Sequence, residues 1–232
     1  ICKRGGRVIA PKTEIKGSVR DYVYQRIKQQ IVNLELEPGR KVFEKEMAER
    51  LQVSKTPVRE AFQRLAQEEL LGVIPQSGTM IMKIDLSLVE EGRFVRENIE
   101  KAVVKEACRS FDSEQLFQVE TNIALQLLCL EKGSYQRLFE LDEAFHSLLF
   151  EGCHKIHTWN LIRQMNTHFD RLRVLRLAAN PEWEVVVSQH KAVFDCIAKR
   201  DEEGAEEKMS THLKLVNFEK EELKTAYPGY FQ

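Results

Sequence analysis

Cysteine is scarce in this sequence and follows no pairing pattern. The five residues Cys2, Cys108, Cys129, Cys153 and Cys196 are scattered, odd in number and contain no CxxC. That argues against a disulfide framework and against a thiolate zinc site, and it points to a reducing compartment. Long apolar runs are also missing. None approaches the roughly 18 residues of a membrane span, so no transmembrane helix is expected. The opening stretch, "ICKRGGRVIAPK", is basic but has no apolar segment, so it does not read as a signal peptide. Neither an internal repeat nor a low-complexity tract is visible. What remains is a 232-residue chain with 43% hydrophobic and 31% charged residues, enough apolar material for one large domain or two smaller ones.

The charge is unevenly distributed. Residues 1–84 hold 16 Lys and Arg against 10 Asp and Glu, whereas the remainder holds 19 against 26. A basic first third joined to an acidic remainder suggests that only the first part meets a polyanion. Residues 1–17 lack periodicity and read as a flexible arm.

From Ser18, the apolar residues Val19, Val23, Ile27 and Ile31 mark an amphipathic helix that stops at the Pro38-Gly39 turn. "EKEMAERL" follows as a short helix burying Met47, Ala48 and Leu51. A third helix carries Val58, Phe62 and Leu65 on one face, with Ser54 at its N-cap and Pro57 in its first turn. Two β-prone runs, Val73-Ile74 and Met80 to Ile84, then flank Pro75-Gln76-Ser77-Gly78. Three helices and a β-hairpin predict a winged helix-turn-helix over 18–84. Beyond it only helical periodicity appears, over about 86–109, 113–132, 134–152, 155–178, 182–199 and 201–225. The expected fold is mainly α: the winged domain followed by an all-α antiparallel bundle of about six helices over 85–228.

In a helix-turn-helix, the second helix of the motif enters the major groove by its N-terminus. Here that terminus is "SKTPVRE". Ser54 and Thr56 offer hydroxyls to phosphate, Lys55 adds charge, and Arg59 has the fork that reads a guanine edge. Lys45 and the wing residue Gly78 would approach the backbone. Taken singly, Lys55 and Arg59 are more often solvated helix charges than DNA contacts. The run Val53-Ser54-Lys55-Thr56-Pro57-Val58-Arg59-Glu60-Ala61, with Pro38-Gly39 before it and Arg64-Leu65 after, closely resembles the DNA-binding domain of the GntR family of bacterial transcription regulators. Two departures stand out. Glu69 occupies a position usually held by Gly, and Lys55 replaces a commoner Arg, keeping the charge but losing the bidentate fork.

In the helical half, "LDEAFHSLLF" carries Asp142 and His146 four residues apart, hence on one helix face. His190 and His212 lie beside apolar stripes on two later helices. Three imidazoles and a carboxylate make an N₃O set for a divalent transition metal. His154, His157 and His168 have less consistent patterning and remain unassigned. The spacing Asp142-x3-His146, then His190, then His212, resembles the FCD effector domain of the FadR-like branch of GntR regulators. Arg96 and Glu100 match that family's Arg-x3-Glu. The stretch "GCHKIHTW", after the Phe-His element, departs from the family's usual Asn-Pro helix start.

The resemblance implies that the four residues hold a metal, zinc or nickel first with manganese as a further option, and that a small organic acid completes its coordination, with Arg96 as the acid's partner. Arg171 is a further effector-binding candidate, and Arg173 is weighed beside it. The expected protein is a cytoplasmic, homodimeric repressor on double-stranded operator DNA, controlled by a small carboxylate and not an enzyme. Two alternatives stay open: a regulator for which the ion itself is the signal, and a metalloenzyme using the His/Asp site to activate water.

Overall fold

A computed structural model describes residues 18–74, 78–179, 183–215 and 220–232. Side chains at 177–179, 220 and 221, and the expected arm at 1–17, fall outside the described part. Helix α1 (Val19–Val32) begins at Ser18, whose side chain accepts from the Asp21 amide at 3.1 Å. Strand β1 (Lys41–Val42) leads into α2 (Glu44–Leu51), which ends with Gln52 in the left-handed region. Helix α3 (Lys55–Gln67) follows, then strands β2 (Leu71–Ile74) and β3 (Gly78–Ile81). The apolar stripes of all three helices meet in one core, where Val23, Ile27, Ile31, Met47, Val58, Leu65 and Ile81 are each at most 1% exposed.

The sheet is larger than the expected hairpin. It has three antiparallel strands in the order β1-β3-β2, with Lys41 opposite Met80 and Leu71 opposite Ile81. The two-residue β1 was too short to show a period. Pro75 to Ser77, within the expected turn, lie outside the described residues, while Gly78 has a φ of +90°, a conformation that suits glycine.

The rest of the described chain is helical. Helix α4 (Leu86–Ser110) is capped by Asp85, and α5 (Ser113–Glu131) is opened by a capping box between Asp112 and Gln115. Then come α6 (Tyr135–Gly152), α7 (Ile156–Met165), α8 (Thr167–Ala179), α9 (Trp183–Ala198), α10 (Glu202–Lys214) and α11 (Lys220–Ala226). A 3-10 turn, Pro228–Tyr230, follows. Among the described residues the bundle therefore has eight helices, where the sequence suggested about six.

One extra break falls inside the expected 155–178 helix, at Asn166. Asparagine competes with the helix for backbone hydrogen bonds and favours ends, and Asn166 is the C-cap of α7. The turn packs close against α4. A Cβ built on Gly92 would stand 2.6 Å from Asn166 Oδ1, so a larger residue there would displace the Asn166 side chain. The other extra break separates α10 from α11, and 216–219 between them are outside the described part. The bundle core contains Val104, Phe145, Leu149, Phe150, Val193, Ile197 and Met209.

Candidate functional site

Helix α6 turns Asp142 and His146 inward, while α9 and α10 bring in His190 and His212. All four are buried, and one ligand atom from each lies within 4.8 Å of the others. The separation His212 Nε2 to His146 Nε2 is 3.3 Å, as is His190 Nε2 to His212 Nε2. Asp142 Oδ1 is 3.6 Å from His190 Nε2 and has no hydrogen-bond partner.

The outer ring nitrogens fix the protonation pattern. His146 Nδ1 is 2.6 Å from the Glu100 carboxylate, His190 Nδ1 is 2.8 Å from Gln126 Oε1, and His212 Nδ1 is 3.1 Å from Gln189 Oε1. Gln126 is itself oriented, since its Nε2 donates to Asn122 Oδ1 at 2.7 Å. All three partners are acceptors, so each Nδ1 carries the proton and each Nε2 presents a lone pair to the centre. Burial holds His190 down to about 3 and His212 well below the ordinary histidine range, which keeps those lone pairs available. Asp142 is pushed up by burial, but the Arg173 guanidinium beside it outweighs that and keeps it ionised.

Three lone pairs and a carboxylate facing one another are mutually repulsive unless a cation sits between them. Nitrogens at about 2.0–2.1 Å from a tetrahedral ion lie about 3.3–3.4 Å apart. The donor set thus fits a divalent transition metal in chemistry and in spacing, with Glu100, Gln126 and Gln189 as the outer shell that aims the rings.

Beside this cluster lies a cavity lined by Arg96, Asp142, Phe169, Arg173, Arg176, Val186, His212, Leu213 and Leu215, enclosing about 20 Å³. That is room for a water-sized group. Arg96 is 1% exposed and packs against the Trp159 and Phe169 rings. Its Nε donates to Glu100 Oε1 at 2.6 Å, while its Nη2 has no hydrogen-bond partner among the described residues. The pair is therefore buried and not the surface ion pair that i, i+4 spacing alone would suggest. Burial raises Glu100, yet Arg96 and His146 override it and lower its pKa to about 2. Arg173 is held by Asp142, by Glu143 at 2.9 Å and by Asp170 at 3.5 Å.

Arg171 does not belong to this cavity. Two residues along a helix point about 200° apart, so while Arg173 faces the metal cluster, Arg171 faces the winged domain and donates to the Met82 carbonyl at 2.5 Å. Of the unassigned histidines, His154 and His157 are exposed. His168 is buried at the domain junction, where its Nδ1 accepts from the Asp85 amide at 3.0 Å. Gln126 and Gln189 escaped the sequence reading. Gln126 left a trace, as a polar residue on the face of α5 that buries Val119, Asn122 and Ile123.

The residues expected to contact DNA lie at the surface of the winged domain. Lys45, Ser54, Lys55, Thr56, Arg59 and Gly78 are all exposed. Ser54 holds the N-cap position of α3 with extended backbone, but its side chain makes no capping bond. Arg59 Nε is 3.4 Å from Glu44, and Lys45 is 4.0 Å from Glu49.

A winged helix with an open recognition-helix terminus, attached to a helical domain with a buried polar pocket, defines a DNA-binding transcription regulator. The comparisons with known proteins agree. The model for "Bacterial regulatory proteins, gntR family" matches residues 20–81 and that for the FCD domain matches 93–215. An Escherichia coli K12 protein named HTH-type transcriptional repressor RspR is 33% identical over 199 residues, spanning 86% of this chain and 87% of its own. A Streptomyces ambofaciens HTH-type regulator is 32% identical over 209 residues, spanning 90% and 88%. Among solved structures, E. coli McbR/YncC superposes with a TM-score of 0.78 at 20% identity, covering 91% of this chain and 99% of its own. A GntR regulator from Rhodococcus sp. RHA1 gives 0.72 at 20% identity, covering 93% and 100%. The chain belongs to the GntR family, with an FCD domain following its DNA-binding domain. The family is one of transcription regulators, not enzymes, which removes the metalloenzyme alternative. No helix among the described residues is long and apolar enough to cross a membrane.

Proposed function

We propose that this regulator is a homodimeric repressor whose hold on operator DNA is set by a small carboxylate at a divalent metal. Asp142, His146, His190 and His212 would hold the ion. Bound there, it would supply a Lewis-acidic anchor for an anionic oxygen. The observation that carries the reading is the convergence of three Nε2 lone pairs, each fixed by an acceptor on its own Nδ1. An N₃O set favours zinc or nickel over hard cations, with manganese as a further option. Arg96 supports the effector half, because its partnerless Nη2 lies on the same cavity as Asp142 and His212. The repressor direction is supported by the name of the E. coli relative. The dimer is supported by Phe117, Leu125, Leu127 and Leu128 on α5, an exposed apolar group of 43–63% exposure.

The test is native mass spectrometry with elemental analysis of freshly purified protein, beside the His190→Ala variant. We expect about one transition-metal ion per wild-type chain and loss of it in the variant; equal metal content would remove the site. A second reading, with the ion itself as the signal, draws on the small enclosed space of the cavity, about 20 Å³. Operator affinity with and without metal, at fixed carboxylate concentration, separates the two.

A further inference from the structure

The segment after α11 lies beyond both family matches, which end at residues 81 and 215, and it reaches back to where the two domains join. Phe231 forms an isolated parallel bridge with Ile84, the residue linking wing and bundle. The Ile84 amide donates to the Tyr230 carbonyl at 2.8 Å, and the Gln232 amide donates to the Ile84 carbonyl at 3.2 Å. Gln232 Nε2 also donates to the Asp85 carboxylate. The Tyr230 hydroxyl bonds Glu37, and Gly229 O approaches the Cβ position of Gly39, so the segment touches the winged domain's first turn as well.

The side chains close the same joint. Ile84, Val89, Phe169, Leu172, Leu175, Leu223 and Phe231 form a separate apolar cluster, with Leu34, Leu86, Tyr227 and Tyr230 packed on it. The linker, the bundle and the final segment thus share one small core, which Leu34 of the winged domain covers. Phe169 also lines the metal-side cavity next to Arg96 and Asp142. A group entering that cavity would press on a residue whose other neighbours hold the linker.

We propose that Tyr230, Phe231 and Gln232 are positioning residues for DNA binding: a clasp that fixes the linker and sets where the winged domain sits on the bundle. The clasp keeps the chain in its DNA-competent arrangement, and Phe169 connects it to the cavity. The proposal needs only the family's DNA binding and stands whether or not the pocket holds a metal.

The test uses full-length protein and a duplex selected by the wild type from a random-sequence pool. Phe231→Ala should expose the Ile84 amide to hydrogen exchange and raise the radius of gyration in solution scattering. Operator affinity should fall roughly 3- to 10-fold as the competent fraction drops, while metal content stays at the wild-type level. Phe231→Leu, which refills the apolar site, should restore both affinity and radius. A general loss of packing would instead lower the helical signal and the melting midpoint of the whole chain and would not be repaired in this pattern. If Phe231→Ala fails to fold, Tyr230→Phe combined with Gln232→Ala removes only the side-chain bonds to Glu37 and Asp85, and should still weaken operator binding. Wild-type affinity and wild-type radius in the folded variant would overturn the proposal.

Discussion

Glu69 stands at φ +57°, just past the end of α3, where the Leu70 amide reaches the Leu65 carbonyl at 2.9 Å and closes the helix. This left-handed closing position favours glycine, and the family usually has glycine there. Its exposed side chain gains no burial in return. Glu69→Gly should therefore stabilise the winged domain by roughly 0.5–1 kcal/mol, relief of strain outweighing the added freedom of the unfolded chain; thermal melting would show a higher midpoint. His168 gives a second prediction at this scale. Burial, then the neighbouring Arg171, lowers its pKa from 6.5 to about 4, with Asp85 pulling the other way. The unfolded chain takes up this proton more readily, so the contribution of neutral His168 is complete above about 6.5 and is lost as pH falls towards 4. In His168→Asn an amide oxygen can still accept from the Asp85 amide. Denaturation series from pH 7 to 4 should show the variant losing less stability than the wild type.

Among the elements, α3 and α8 do the most with the fewest residues. The exposed N-terminus of α3 offers amides and hydroxyls to phosphate, and Arg59 follows one turn later. Arg59 must leave Glu44 to reach a base edge. Arg59→Ala should cost roughly 1–3 kcal/mol and relax specificity at one base pair, whereas Lys55→Ala should weaken all sequences alike and lower the salt slope by about 1; fluorescence anisotropy over a salt series distinguishes them. Helix α8 works from two opposite faces, Arg173 and Arg176 towards the metal cavity and His168 and Arg171 towards the wing. The sequence showed the recognition helix because its apolar stripe and its charges separate cleanly at period 3.6. It hid the start of α8, because Asn166 interrupts an unbroken apolar period and only packing against Gly92 reveals the break. The clustering of Asp142, His146, His190 and His212 was legible for a different reason: Asp142 and His146 are polar residues within an apolar stripe. Arg171 misled because nothing in its neighbours tells which side of α8 faces the pocket.

Over the whole molecule, charge and apolar surface are divided by task. The basic share sits in the domain that meets DNA, so operator affinity should fall steeply with added salt while metal content does not. The exposed apolar residues of α5 belong to the other domain. If the proposed dimer forms through this face, Phe117→Arg with Leu128→Arg should convert it to a monomer in light scattering without changing the helical signal; a mass equal to that of the wild type would remove α5 as the dimer contact. Glu100 lies between the two chemistries of the pocket, with one oxygen on Arg96 and the other on His146. A ligand that draws Arg96 away shifts that carboxylate's charge towards the imidazole proton and makes His146 a stronger donor. If the proposed ion and acid both bind, this one shared group would link their occupancies. Whatever factor the acid then added to metal affinity, the metal would return to the acid, and metal supply would become part of the proposed regulator's sensitivity to its organic signal.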